Sequence, residues 1–107
     1  MMTVEHKIYN LMGQFVADYK GGFWDFFELS NGGFYMVPQV PSVRLSVDSN
    51  GFDGRMSADA AGITVCLFAF SHLAFEHNGE VYCRHFHWLR DFALGHVEAG
   101  QIFAAID

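Results

Sequence analysis

The sequence predicts an α+β domain: an N-terminal helix, a four-stranded antiparallel sheet of two hairpins, then three C-terminal helices. Three observations carry this. An apolar stripe at three- and four-residue spacing opens the chain, two Asn-Gly pairs join aromatic and β-branched segments, and the run after Ser57 is apolar nearly all round. A chain of 107 residues suits one domain, 1–107, and 51% hydrophobic against 17% charged residues argues against intrinsic disorder.

Over residues 3–20, Val4, Ile8, Leu11, Met12, Phe15, Val16 and Tyr19 form the stripe of a first helix, with Thr3 as its cap and Gly21 and Gly22 as its stop. Residues 23–29 and 34–37 are aromatic and β-prone, and Pro38 ends the second run. A two-residue turn at Asn31 and Gly32 sets Leu29 opposite Phe34 and Phe27 opposite Met36. Trp24, Phe26, Tyr35 and Val37 then share the other face. Val43, Leu45 and Val47 alternate with Arg44, Ser46 and Asp48, the period of a strand with one wet face. A turn at Asn50 and Gly51 pairs Leu45 with Met56, Val47 with Gly54, Ser46 with Arg55 and Asp48 with Asp53.

Ser57 reads as an N-cap and Asp59 as a first-turn acid suited to the helix dipole. The helix that follows, to about residue 77, is predicted to be the buried centre of the fold. Asn78 and Gly79 end it. A third helix covers residues 80–94, with Tyr82, Phe86, Leu89 and Ala93 on one stripe, and Gly95 stops it. His96 is placed to cap a last short helix carrying Ile102, Phe103 and Ile106.

Twelve acidic and six basic residues give a formal charge of -6, with the basic residues scattered, which argues against general nucleic-acid binding. It equally argues against imitation of DNA, because a duplex of the protein's length carries about 20 phosphates. The N-terminus lacks the basic and apolar regions of a signal peptide, and the longest apolar stretch, residues 63–70, falls far short of a membrane helix. A cytoplasmic protein with no membrane contact is expected, with Cys66 and Cys83 as thiols.

Cys83, His85 and His87, with His72, His77 and His96 elsewhere, are the residues most suggestive of metal. On a helix Cys83 and His87 share a face while His85 points away, so two ligands stand where zinc wants four, or three plus water. No metal site and no cofactor is predicted. Nucleophile, phosphate-loop and dinucleotide motifs are missing. Arg90 can pair with a carboxylate as an ordinary surface residue.

Residues 29–38 (LSNGGFYMVP) and 50–62 (NGFDGRMSADAAG), with residues 89–93 (LRDFA), His96, Glu98, Ala99 and the closing residues 105–107, together resemble the ArdB/KlcA antirestriction family. The resemblance runs from about the middle of the first helix to the last residue. It implies a short form lacking part of the family's N-terminal segment, with Val97 where relatives often have Pro. It further implies a non-enzymatic protein of plasmids, prophages or genomic islands that relieves type I restriction of incoming DNA. The family supplies no catalytic residues to carry over, leaving Asp59, Arg90 and His96 as polar candidates.

The expected partner is therefore the type I restriction-modification system, touched directly or through another host factor. The competing class is a small metal-dependent or cysteine enzyme acting on nucleotides or DNA intermediates, which metal content would separate. The sequence also predicts self-association or partner binding through Trp24, Phe26 and Tyr35, because only one face of the first hairpin can pack on the long helix.

Overall fold

The computed structural model describes residues 3–17, 19, 21–77 and 79–106, with the side chains of Thr3 and His77 outside that description. The elements are α1 (Thr3–Phe15), β1 (Trp24–Glu28), β2 (Phe34–Pro38), β3 (Ser42–Val47), β4 (Phe52–Ser57), α2 (Ala58–His77), α3 (Glu80–Leu94) and α4 (Ala99–Ile106). Their order and type are those expected. The cap assigned to Thr3 and the stop assigned to Asn78 fall outside the described atoms.

α2 occupies the centre because residues 60–70 offer no polar face to water. Ala60, Ala61, Ile63, Val65, Cys66, Leu67, Ala69 and Phe70 are all fully buried. Thr64 is buried with them, and its hydroxyl donates to the Ala60 carbonyl at 2.8 Å, so no polar group is stranded. Around this helix pack Ile8, Leu11 and Met12 of α1, Leu45 and Val47 of β3, Leu89 of α3 and Ile102 of α4. Residues 58–76 are long and apolar enough to cross a membrane by length and composition, contrary to the short stretch read from the sequence. Here that surface is spent on the core of the fold.

The strands do not join into one four-stranded sheet; β1 pairs with β2 and β3 with β4, as separate two-stranded sheets. α2 is the reason. It runs along the open edge of β2, where Cys66 Sγ accepts the Met36 N–H at 3.4 Å, and a Cβ added at Gly62 would lie 2.2 Å from the Met36 carbonyl oxygen. Only glycine allows the helix backbone so near the strand. Tyr35, Met36, Val37 and Pro38 are buried, whereas β1 is exposed along most of its length.

Both registers differ from the expected ones, and for the same reason. In the first hairpin Phe26 faces Met36 and Phe27 faces Tyr35, one residue from the expectation, because the loop holds residues 30–32, closed by Leu29 N–H to the Gly33 carbonyl at 2.8 Å. Gly32 takes the left-handed conformation this loop needs, with φ 104°. In the second hairpin Val43 faces Met56 and Leu45 faces Gly54, a slip of two from the expected Leu45 and Met56 pair. Its loop spans residues 48–51, with Gly51 N–H donating to the Val47 carbonyl at 2.9 Å. A slip of two keeps the inner face intact, so Val43, Leu45 and Val47 are buried as expected.

Each turn asparagine is tied to a distant helix. Asn31 accepts the Gly33 N–H and donates to the Trp88 carbonyl at 3.0 Å. Asn50 accepts the Phe52 N–H and donates to the Ala105 carbonyl at 2.7 Å. These side chains thus close their own loops and anchor each hairpin to α3 or α4.

α1 stops at Phe15, short of the expected residue 20. Beyond it Tyr19 leaves the helical stripe, and its hydroxyl accepts the indole N–H of Trp24 at 2.8 Å.

Candidate functional site

A polar cluster gathers where β4 runs directly into α2. Ser57 caps α2, its hydroxyl accepting the Ala60 N–H at 3.1 Å. The Glu98 carboxylate, from the turn before α4, accepts the Ser57 backbone N–H at 3.0 Å and the Ser57 hydroxyl as well. The hydroxyl bond, followed by the backbone bond, holds Glu98 below the usual carboxylate range.

Asp59 stands two residues along, in the first turn of α2. The Tyr35 hydroxyl donates to its Oδ1 at 2.7 Å, and His96 Nε2 meets its Oδ2 at 2.7 Å. The Glu98 N–H donates to His96 Nδ1 at 2.9 Å. An imidazole nitrogen that accepts carries no proton, so neutral His96 holds its proton on Nε2 and donates it to Asp59. Burial first, and then the Asp59 bond, raises Tyr35 above the ordinary phenol value and keeps it a donor. Phe92 covers Tyr35, with ring centroids 5.6 Å apart.

This arrangement is a clasp joining β2, the start of α2 and the turn between α3 and α4. Both Asp59 oxygens and both His96 nitrogens are engaged by the protein, and the His96 side chain is only 11% exposed. No lone pair of His96 is left over to take a proton from a bound molecule.

Of the six residues singled out in the sequence, the fold unites Tyr35, Asp59 and His96 and separates Trp24, Phe26 and Arg90 from them. Arg90, exposed on α3, lies over the Phe103 ring, 5.4 Å from its centroid. Tyr35 does not share an exposed face with Trp24 and Phe26, because the one-residue register change puts it on the face opposite theirs and β2 is buried there, leaving Tyr35 at 5% exposure. Trp24 packs against Tyr9 and Tyr19, and Phe26, 56% exposed, stacks on Phe34.

Tyr35 is thus a site residue that sequence reasoning placed on the wrong face, and Glu98 was passed over. The signal for Glu98 was a carboxylate two residues after His96, close to a helix start.

Cys83 and His87 are both exposed on α3, while His85 turns into a nest of Phe34, Phe70 and Trp88 rings. Its Nδ1 is buried without a hydrogen-bond partner. Burial, followed by the nearby Arg84 charge, pushes His85 below the ordinary histidine value. Cys66 is buried, which pushes its thiol up to about 12. Among the described residues no three His, Cys, Asp or Glu side chains converge as a metal would require.

Comparison with known proteins follows the same elements. The family described as antirestriction protein matches residues 17–107. This chain belongs to the antirestriction protein family. An antirestriction protein KlcA of Escherichia coli is 46% identical over 112 residues, covering 100% of this chain and 77% of its own. An uncharacterized protein of Escherichia coli strain K12, YafX, is 41% identical over 109 residues, covering 99% of this chain and 72% of its own. A solved structure from work on KlcA and ArdB superposes with a TM-score of 0.92 at 41% identity, over 99% of this chain and 78% of that one. KlcA and ArdB are described there as having a novel fold and antirestriction activity against type I DNA restriction systems in vivo but not in vitro. The α+β architecture of this antirestriction family member is therefore the KlcA and ArdB fold.

Proposed function

We propose that this chain relieves type I restriction of incoming DNA in the cytoplasm of a bacterial cell, as a non-enzymatic protein. The observation that carries the reading is whole-chain similarity to KlcA, 46% identical, with a shared fold at a TM-score of 0.92. The clasp supports the non-enzymatic part, since both nitrogens of His96 are engaged by the protein and its side chain is only 11% exposed. The enzyme alternative gains nothing from Cys66, which is buried and held as a thiol.

DNA mimicry is not the route. The protein extends 32 Å along its longest axis, where a duplex carries about 19 phosphate charges, against twelve acids offset by six bases here. For KlcA and ArdB, activity in vivo but not in vitro favours a route through a further component of the cell, and we assign this chain the same route. Self-association falls to exposed Phe26 and its neighbours on β1, since Tyr35 is buried. Light scattering of wild type and Phe26→Ser across a concentration series tests that part.

The functional test is plating of unmodified phage on a restricting host with and without the gene, beside a host lacking the nuclease. Relief confined to the restricting host is expected. Equal restriction with and without soluble protein overturns the proposal.

A further inference from the structure

Between the end of α1 and β3 lies a half-open groove of about 630 Å³, which the clasp does not touch. Its floor is apolar, formed by Met12, Phe15, Val16, Tyr19 and Val43, and its rim carries Arg44 and Arg55. No acidic residue lines it among the described residues; Asp18 lies outside them. In a chain with twice as many acids as bases, this lining reverses the charge of the whole.

The two arginines stand directly opposite each other in the β3 and β4 ladder. Like charges in that position repel, so the pair holds together best around an anion. Asp53 supplies one, accepting from Arg44 Nε at 2.9 Å and Nη2 at 2.8 Å. Arg55 gives Nη1 to the neutral Ser42 hydroxyl at 3.1 Å, and no described carboxylate pairs with it. Among the described residues one positive charge is left without a carboxylate beside an apolar floor.

We infer that this groove binds an acidic peptide segment of a partner protein, with a Leu, Phe or Trp side chain on the floor and a neighbouring carboxylate on Arg55. Guanidinium and carboxylate match in planar geometry, and the charge complementarity is local to the groove. A nucleic acid is the poorer occupant, because two arginines neutralise too few phosphates on a chain of charge -6. The volume lies within the range of sites that take an apolar group with a few polar contacts. The inference stands apart from restriction relief, because binding is read on the purified chain.

The test begins by panning a random dodecapeptide library on the purified full chain and measuring the two most enriched peptides by calorimetry and amide chemical shifts. Enriched sequences should place Asp or Glu beside Leu, Phe or Trp, with shifts clustered at Val16, Tyr19, Val43 and Arg44. Affinity should fall about tenfold or more in Arg55→Ser, the size expected for a lost charge-assisted bond. If that variant fails to fold, replacing the peptide's acid by its amide on the wild-type protein must give the same loss. No enrichment, enriched peptides without acids, shifts on β1, or an amide peptide that binds equally well would each overturn the inference. Benzoate binding as tightly as the peptide would overturn the peptide assignment in favour of a small carboxylate.

Discussion

Gly62 leaves α2 so close to Met36 that a single added methyl group would sit 2.2 Å from the Met36 carbonyl oxygen. The obstacle is backbone, not a side chain that can swing aside. Gly62→Ala is expected to cost about 3 kcal/mol despite its gain in helix propensity, because the helix and β2 must separate. Urea denaturation of the purified variant measures it, and a neutral result would place α2 farther from β2.

The clasp should behave as one coupled unit. Tyr35→Phe removes one bond to the half-exposed Asp59 and should cost about 1 kcal/mol, while His96→Ala also strands the Glu98 N–H and should cost about 2 kcal/mol. Both act through Asp59, so the double variant should lose less than the sum. Phage plating with Tyr35→Phe at matched soluble protein should keep restriction relief, as a structural clasp requires; abolished relief would point to chemistry at this cluster.

Acid sensitivity should come in two stages. His85 is held below its ordinary value of about 6.5, so the unfolded chain takes up a proton first. Its contribution is complete above about pH 6.5 and is lost as pH falls towards its lower folded value. Glu98 has the same sign one window lower: its contribution is complete above its ordinary value of 4.5 and is lost as pH falls through its depressed folded value. Stability against urea measured from pH 8 to 3 checks this, and His85→Phe should erase the upper stage while leaving the lower.

Asn31→Asp and Asn50→Asp retain the acceptor that closes each loop but lose the donor that reaches Trp88 or Ala105. Each should destabilise by about 1–2 kcal/mol, with the carboxylate now facing a carbonyl. Cross-strand NMR contacts in the wild type should join Val43 to Met56 and Phe26 to Met36.

Those asparagines explain how far the sequence could be read. Strand and helix positions were legible because Ser57, Gly79 and Gly95 punctuate strong periodic patterns, and α2 and α3 lie where those patterns put them. Register was not legible, since an Asn-Gly pair signals a two-residue turn while here each Asn side chain is recruited by a helix more than fifty residues away. One residue of slip sufficed to part Tyr35 from the face of Trp24 and Phe26, and the packing of β2 on α2 brings its hydroxyl to Asp59. Asp59 and His96 were visible singly, as a first-turn acid and a cap near α4, but their meeting depends on how α3 returns to α2. The groove was equally hidden, because Arg44 opposite Arg55 exists only in the observed register.

The asparagine anchors also constrain the order in which the molecule can assemble. An isolated two-stranded ribbon is marginal in water, and here the bonds that secure each ribbon span 57 and 55 residues of chain. During synthesis the first ribbon can lock only after Trp88 has emerged, and the second only after Ala105. Until then Phe23, Phe26 and Phe27 belong to an open ribbon in a nascent chain, a state in which chaperone contact and proteolysis act most readily. Non-local closure of this kind also slows folding relative to a helical bundle of the same size, so the lifetime of that state is set by the topology of the fold.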